Sequence, residues 1–218
     1  MSLKDDHLRF ILDGGVVAVV RAARSARLVE VVSAISEGGI RAIEVTLTTP
    51  GALEVIAECA ERFRGTVLIG AGTVLDPETA RAAILAGAEY LVAPSLNPAV
   101  IEVCRRYSKI AIPGALTPTE ILTAWECGAD IVKVFPATTF GPRYFRDLKG
   151  PFPHIALIPT GGVNLETAGE FIKAGACAVA VGSNLIDTRA IEEGRLQGVT
   201  ETARKYVEAV RAARQASA

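Results

Sequence analysis

The chain has 218 residues, about 50% of them apolar, and a formal net charge of −1. Charges of both signs are interspersed, which excludes a basic nucleic-acid patch and a cationic membrane-binding face, and no apolar run is long enough to span a bilayer. The length suits one globular domain over 1–218, with a core large enough to fold without disulfides or a structural metal.

Val16–Val20 is a continuous β-branched run, the pattern of a strand buried on both faces. A helix is predicted from Ser25, a suitable N-cap, to Glu37, with Leu28, Val31, Val32 and Ile35 at helical spacing and Gly38–Gly39 as the stop. The same reasoning gives a strand over Ala42–Leu47, a helix from Pro50 to Phe63, and a strand over Val67–Gly70. Asp76 opens a helix that ends at Gly87. Strand Tyr90–Ala93, helix Asn97–Tyr107 and strand Ile110–Ile112 follow. Beyond them come helix Thr117–Cys127, strand Ile131–Phe135, a weaker helix Phe140–Leu148, strand Ile155–Ile158, helix Asn164–Lys173, strand Ala178–Val181 and a terminal helix Ala190–Ala213. Eight strands alternating with eight helical segments imply parallel strands joined by right-handed crossovers. The expected fold is therefore α/β, a single-domain (β/α)8 TIM barrel. An open doubly wound sheet is the alternative, but the first strand leads into Arg21-Ala22-Ala23-Arg24 with no glycine-rich phosphate fingerprint.

The cysteines Cys59, Cys104, Cys127 and Cys177 are far apart and lack metal-ligand spacing, which reads as small apolar filler in a reducing compartment. Acids appear early, at Asp5 and Asp6, with no long apolar segment beside them, so a signal peptide is not expected and a cytoplasmic location is.

A repeat underlies the even-numbered strands. Gly39, Gly87, Gly128 and Gly175 each end a predicted helix, as a left-handed C′ residue does, and each is followed by a short strand. Registering the four segments on that glycine aligns Glu44, Val92, Lys133 and Ala180. Side chains alternate between strand faces, and alternate strands of a barrel share an interior layer, so these four are predicted to form one layer. Glu44 and Lys133 are each the odd residue in an apolar strand. One reading is a structural ion pair that plugs the barrel; another is a reactive amine with a carboxylate proton shuttle near it. Burial favours the neutral amine and a neighbouring carboxylate favours the ammonium, and the sequence leaves that opposition open.

Active sites of such barrels lie at the C-terminal strand ends. Here those ends carry Gly70-Ala71-Gly72-Thr73, Pro159-Thr160-Gly161-Gly162 and Gly182-Ser183, residues that let backbone N–H groups and hydroxyls approach a small polar ligand. Thr160–Leu165 and Gly182–Leu185 are each read as passing straight from strand to helix, which makes a phosphate or other oxyanion site after strands seven and eight. Arg21 ends the first strand as either a carboxylate clamp or a solvated surface residue. Pro94 and Phe135 stand at strand ends as an apolar wall or as plain packing, and neither His7 nor His154 reads as a metal ligand.

Taken together, Glu44 in Ile43-Glu44-Val45-Thr46-Leu47, Gly70–Thr73, Lys133 in Val132-Lys133-Val134-Phe135-Pro136, Pro159–Gly162 and Gly182-Ser183 resemble the bacterial 2-keto-3-deoxy-6-phosphogluconate (KDPG) and 4-hydroxy-2-oxoglutarate (KHG) aldolases over most of the chain. The resemblance implies a class I aldolase, metal-free and cofactor-free, on a (β/α)8 barrel and usually a homotrimer. It implies that Lys133 forms the Schiff base with the substrate keto group and that Glu44 shuttles protons. By the same resemblance Thr73, Pro94 and Phe135 surround the pyruvate moiety, and Thr160, Gly161, Gly162 and Ser183, with Gly182, hold the phosphate. One departure stands out. Thr48 takes the place where members favouring the phosphogluconate substrate often carry an arginine, which leaves Arg21 as the candidate for the substrate carboxylate and raises the standing of a phosphogalactonate or hydroxyoxoglutarate substrate. An isomerase or epimerase on a phosphate-binding barrel, or a non-catalytic sugar-phosphate module, shares the loops but does not require Glu44 and Lys133 together.

Overall fold

The structure is a computed structural model that describes residues 2–186 and 193–216. Strands and helices alternate, and every strand pairing is parallel. The strands are β1 (Val16–Val20), β2 (Ala42–Thr46), β3 (Leu68–Gly72), β4 (Tyr90–Val92), β5 (Ile110–Ile112), β6 (Gly114–Ala115), β7 (Val132–Val134), β8 (Leu157–Pro159) and β9 (Val179–Val181). The helices are α1 (Leu3–Gly14), α2 (Leu28–Glu37), α3 (Ala52–Arg62), α4 (Pro77–Leu85), α5 (Pro98–Arg106), α6 (Pro118–Glu126), α7 (Gly141–Lys149), α8 (Ala168–Lys173) and α9 (Gln197–Gln215).

The helix starts follow their capping chemistry. Asp76 accepts from the Thr79 amide at 2.6 Å, Asn97 accepts from the Ala99 amide at 3.0 Å, and Thr117 with Glu120 forms a reciprocal capping box. Each of these three helices begins with a proline, whose missing N–H is no loss at that position. The repeat glycines Gly39, Gly87, Gly128 and Gly175 all have φ between +96° and +104°, as a left-handed helix stop demands.

The strands form a curled parallel sheet in two sections, a six-stranded one in the order β5-β4-β3-β2-β1-β9 and a three-stranded one in the order β6-β7-β8. The predicted fifth strand, Ile110–Ile112, is observed as β5; Pro113 lacks an N–H for the ladder and ends it, and an additional two-residue strand, β6, begins after it. Hydrogen bonds bridge the sections: the Lys133 amide donates to the Pro113 carbonyl at 2.9 Å and the Cys177 amide to the Leu157 carbonyl at 2.9 Å. A parallel bridge joins Thr160 to Ala180.

Two apolar clusters hold the layers together. The larger lies between sheet and helices and includes Ile35, Ile43, Ile56, Phe145 and Phe171. The smaller lines the inward face of the sheet and draws Val17, Ala42, Leu68, Tyr90, Val92, Ile112, Ile158 and Ala180 from successive strands. Burial on both faces is why the strands read as unbroken apolar runs.

Helix α1 was not foreseen. Its signals are local: a Ser2–Asp5 capping box, Leu8, Ile11 and Leu12 at helical spacing, and Gly15 at φ +69° as its stop. Ile11 is fully buried in the inward cluster, so α1 covers one end of it. Arg214 of α9 donates to the Leu12, Asp13 and Cys177 carbonyls at 2.6–2.9 Å, tying the C-terminal helix to that end.

Three helix boundaries differ from expectation. Ser25 does not cap α2, which starts after Arg27 in a left-handed conformation. Asn164–Thr167 forms a side-chain-bonded turn instead of the first turn of α8, because Asn164 Oδ1 accepts from the Thr167 and Glu166 amides. Of the terminal helix predicted over 190–213, residues 190–192 lie outside the described residues, and the helix observed beyond them starts at Gln197. Among the described residues no helix is long and apolar enough to cross a membrane.

Gly114 shows how tightly the strand ends are packed. A methyl group there would collide with the Pro94 backbone, which cannot yield as a flexible side chain does. Gly114→Ala is expected to lower unfolding stability by about 2 kcal/mol in urea denaturation. An unchanged midpoint would mean that the Pro94 backbone moves freely.

Candidate active site

Glu44 stands in the middle of β2, paired in register with Val19 on β1 and Gly70 on β3. Lys133 stands in the middle of β7, paired with Gly114 on β6 and Ile158 on β8. Their strand phase matches that of the inward cluster, as do Val92 and Ala180, so the four residues aligned by the repeat all face inward. Glu44 is 2% exposed and Lys133 6%.

The two charges do not form an ion pair. Lys133 makes no salt bridge or hydrogen bond to any described residue through its amine; Nζ instead lies 5.0 Å from the centroid of the Phe135 ring. The Glu44 carboxyl leans over the bare backbone of Gly72, where any Cβ would strike Oε1. Glycine at 72 is therefore what gives that carboxyl its space. Burial pushes Glu44 up to about 7, against the pull of Lys133 and Arg21. Burial also holds the Lys133 amine below its ordinary value; Glu44 opposes this and Arg21 adds to it. The opposition left open by the sequence is thereby resolved: desolvation outweighs the carboxylate, and both groups are biased toward their neutral forms.

A cavity of about 720 Å³ opens at the C-terminal strand ends; neither Glu44 nor Lys133 lines it, but its wall includes Val19, the register partner of Glu44, and Phe135, whose ring meets Lys133 Nζ. Among the residues lining it are Arg21, Thr48, Phe135, Thr160, Gly161, Gly162, Gly182 and Ser183. Thr73 and Pro94 are not part of its wall. Thr73 follows Gly72 with φ +61°, and Pro94 packs its carbonyl against Gly114, the register partner of Lys133. Thr160 is 9% exposed; its amide and carbonyl are engaged by Val134 and Ala137, while its hydroxyl is buried without a partner among the described residues. Gly161 and Gly162 have φ +86° and +74°, and a side chain at Gly162 would run into Thr138.

The helix N-terminus expected directly after β8 is corrected by the structure. The loop from Thr160 reaches α8 only after the Asn164–Thr167 turn. After β9 the Leu185 and Ile186 amides both donate to the Gly182 carbonyl, at 2.8 and 3.2 Å, and the continuation of the helix expected there falls on residues 187–192, outside the described residues. After β8 the N–H groups available to an anion are those of the Gly161–Gly162 loop.

The sequence reading missed two features. Asn184 Nδ2 donates to the Val163 carbonyl at 2.8 Å and ties these two loops together; its signal was its place directly after Gly182-Ser183. Thr46 and Thr49 are buried, and their hydroxyls lie 3.4 Å apart; Thr46 also meets Thr48 at 3.1 Å, and Thr49 accepts from the Ala22 amide beside Arg21. Nothing in the strand pattern distinguishes those threonines from ordinary β-formers. Among the described residues no group of three or more His, Cys, Asp or Glu is placed to hold a metal ion.

Known proteins supply the class first. The family model that matches the chain, over residues 9–202, is that of an aldolase, and aldolases are lyases. The chain belongs to the KDPG and KHG aldolase family. It is 33% identical over 195 residues to the 2-dehydro-3-deoxy-6-phosphogalactonate aldolase of Escherichia coli (strain K12), covering 89% of this chain and 95% of that protein. It is 36% identical over 200 residues to the 2-dehydro-3-deoxy-phosphogluconate aldolase of Treponema pallidum (strain Nichols), covering 89% and 93%. Among solved structures, a native KDPGal structure superposes with a TM-score of 0.85 at 32% identity, covering 92% of this chain and 96% of that one. A KDPG aldolase from Legionella pneumophila, with pyruvate captured at low pH as a covalent carbinolamine intermediate, gives 0.82 at 26% identity, covering 89% and 95%.

The raised Glu44 pKa has a stability consequence. An unfolded glutamate titrates near ~4.3 and the folded one at about 7, so the folded state holds the extra proton between those values. Stability contributed by Glu44 is then full below the unfolded value and is lost as pH rises through the folded one. Glu44→Gln cannot ionise, so its melting temperature is expected to gain on wild type between pH 5 and pH 8, by roughly 5 °C. A constant difference across that range would show that Glu44 ionises as easily folded as unfolded.

Proposed function

We propose that the chain is a class I aldolase that cleaves 2-keto-3-deoxy-6-phosphogluconate to pyruvate and glyceraldehyde 3-phosphate. The observation that carries this reading is Lys133: a buried amine without an ion-pair partner, held below its ordinary pKa, near a glutamate poised at about 7. A neutral amine attacks a carbonyl, and an acid/base group with its pKa near the working pH moves protons efficiently in both directions.

In this reading Lys133 Nζ adds to the C2 carbonyl, and loss of water gives an iminium. The Glu44 carboxylate takes the C4 hydroxyl proton, the C3–C4 bond breaks, and its electrons pass into the iminium to form an enamine. The aldehyde leaves, the enamine is protonated at C3, and water releases pyruvate from Lys133. Phe135 walls the pyruvate end, with Thr73 and Pro94 at the neighbouring strand ends. The unpartnered Thr160 hydroxyl, the Gly161 and Gly162 amides, Gly182 and Ser183 suit the phosphate at the other end of the cavity. Arg21 is assigned the substrate carboxylate, which it can grip bidentately.

A second reading keeps the chemistry and changes the substrate. Thr48 presents a neutral hydroxyl to the cavity, and the 33%-identical E. coli relative is named for the phosphogalactonate substrate. Parallel cleavage assays with the phosphogluconate, phosphogalactonate and hydroxyoxoglutarate substrates rank the three by kcat/KM.

The reading extends to the whole chain as one domain, with the two sheet sections closing as a (β/α)8 barrel. The continuity of β5 and β6 through Pro113, the Thr160–Ala180 bridge and the shared inward cluster support closure. A cytoplasmic homotrimer completes the proposal.

Borohydride reduction in the presence of pyruvate is expected to trap a covalent adduct on Lys133, seen by peptide mass spectrometry, and none in Lys133→Ala. An unmodified Lys133 in the wild-type enzyme would sink the mechanism. Glu44→Gln is expected to lower kcat by roughly 10²–10⁴-fold. A near-normal rate would remove Glu44 from proton transfer.

A further inference from the structure

Tyr90 is fully buried on the inward face, and its hydroxyl has no hydrogen-bond partner among the described residues. Such a group costs about 1–3 kcal/mol when left unsatisfied. A phenylalanine would fill the same space without that cost, so packing alone does not account for the hydroxyl.

The register shows what it faces. Glu44, Gly70 and Tyr90 are successive partners across β2, β3 and β4. Gly70 has no side chain, and the outer end of the Tyr90 ring lies directly on its backbone; a Cβ there would collide with Cζ and both Cε atoms. The ring therefore crosses β3 toward β2. Two residues further along β3, a spacing of about 6.6 Å, the Glu44 carboxyl rests on Gly72 in the same manner. Two adjacent inward glycines thus seat the end of the Tyr90 ring and the Glu44 carboxyl along one face of β3, and a water can bridge two buried polar groups that do not meet directly. Glu44 is also the charge that, after burial, raises the Tyr90 phenol. The charged groups acting on Glu44 are Lys133 from β7 and Arg21 from the end of β1, both cationic, and Tyr90 approaches from below on β4.

We propose that Tyr90 is a positioning residue for Glu44: its hydroxyl donates, through one buried water, to the ionised carboxylate and stabilises the form that accepts the substrate proton. This inference rests on the reading of Glu44 as the general base. A donor to the charged form lowers the pKa of an acid, so Tyr90 offsets part of the rise that burial imposes.

Tyr90→Phe keeps the ring that fills the interior and removes only the hydroxyl. The acid limb of its kcat–pH profile is expected to move up by about one unit, a loss of roughly fivefold at pH 7. The pH-dependent fall in melting temperature assigned to Glu44 should move up equally, a readout that needs no substrate. Glu44→Gln, assayed alongside, separates the two ideas. If it abolishes the acid limb while the Tyr90→Phe profile superimposes on wild type, Tyr90 has no part in setting Glu44 and the inference is overturned. If the limb survives in Glu44→Gln, the base is another group and both readings fall. A shifted limb in Tyr90→Phe together with a lost limb in Glu44→Gln establishes the link.

Discussion

Burial without pairing is the constraint on which the site depends. A lysine inside a protein is ordinarily tied to a carboxylate, because an unpaired buried charge is expensive. Here Glu44 and Lys133 occupy the same inward face yet form no ion pair, and each is pushed toward its neutral form. A closed ion pair would be easier to bury and chemically inert, with the amine held as ammonium. Separation keeps the amine available. The sheet supports this by surrounding the two groups with apolar side chains from nearly every strand, so the desolvation is a property of the fold rather than of one neighbour.

Glycine then does the spatial work. Gly72 makes room for the Glu44 carboxyl and Gly70 for the Tyr90 ring, while Gly114 admits the Pro94 backbone beside the register partner of Lys133. Each is an inward-facing or close-approach position in a strand where glycine costs conformational entropy and contributes no packing. The rest of the sheet is β-branched and rigid, which leaves these few positions to decide where polar groups stand.

Much of this was legible because two physical signals recur. Continuous apolar runs mark strands buried on both faces, and a left-handed glycine marks each even-numbered return into the sheet, so aligning Gly39, Gly87, Gly128 and Gly175 carried Glu44, Val92, Lys133 and Ala180 to one face without any structure. The misses have equally definite causes. Helix α1 was passed over because its apolar residues are few and its polar face dominates, although Ser2, Asp5 and Gly15 spelled out both ends. The Asn164–Thr167 turn won over helix because Asn and Thr side chains supply the backbone with competing acceptors. Whether two buried charges touch depends on side-chain reach across several strands, which no local pattern encodes; hence the sequence left both an ion pair and a reactive amine open for Glu44 and Lys133.

The same distinction bears on substrate choice. Glu44 and Lys133 stand on strands β2 and β7, whereas much of the cavity wall comes from loops: Arg21 after β1, Thr48 after β2, the glycines after β8, and Ser183 after β9. Loops vary more readily than the strands that carry them. Thr48 belongs to a hydroxyl cluster with Thr46 and Thr49, and Thr49 holds the Ala22 amide next to Arg21. The neutral residue at 48 is thus linked through Thr46 and Thr49 to the loop that carries Arg21, a cation in the cavity wall. Inserting an arginine at 48 would remove the Thr46–Thr48 contact at the same time as it added a charge. The cavity wall at this end is consequently built by the β1 and β2 loops together, apart from the amine and carboxylate carried on the strands.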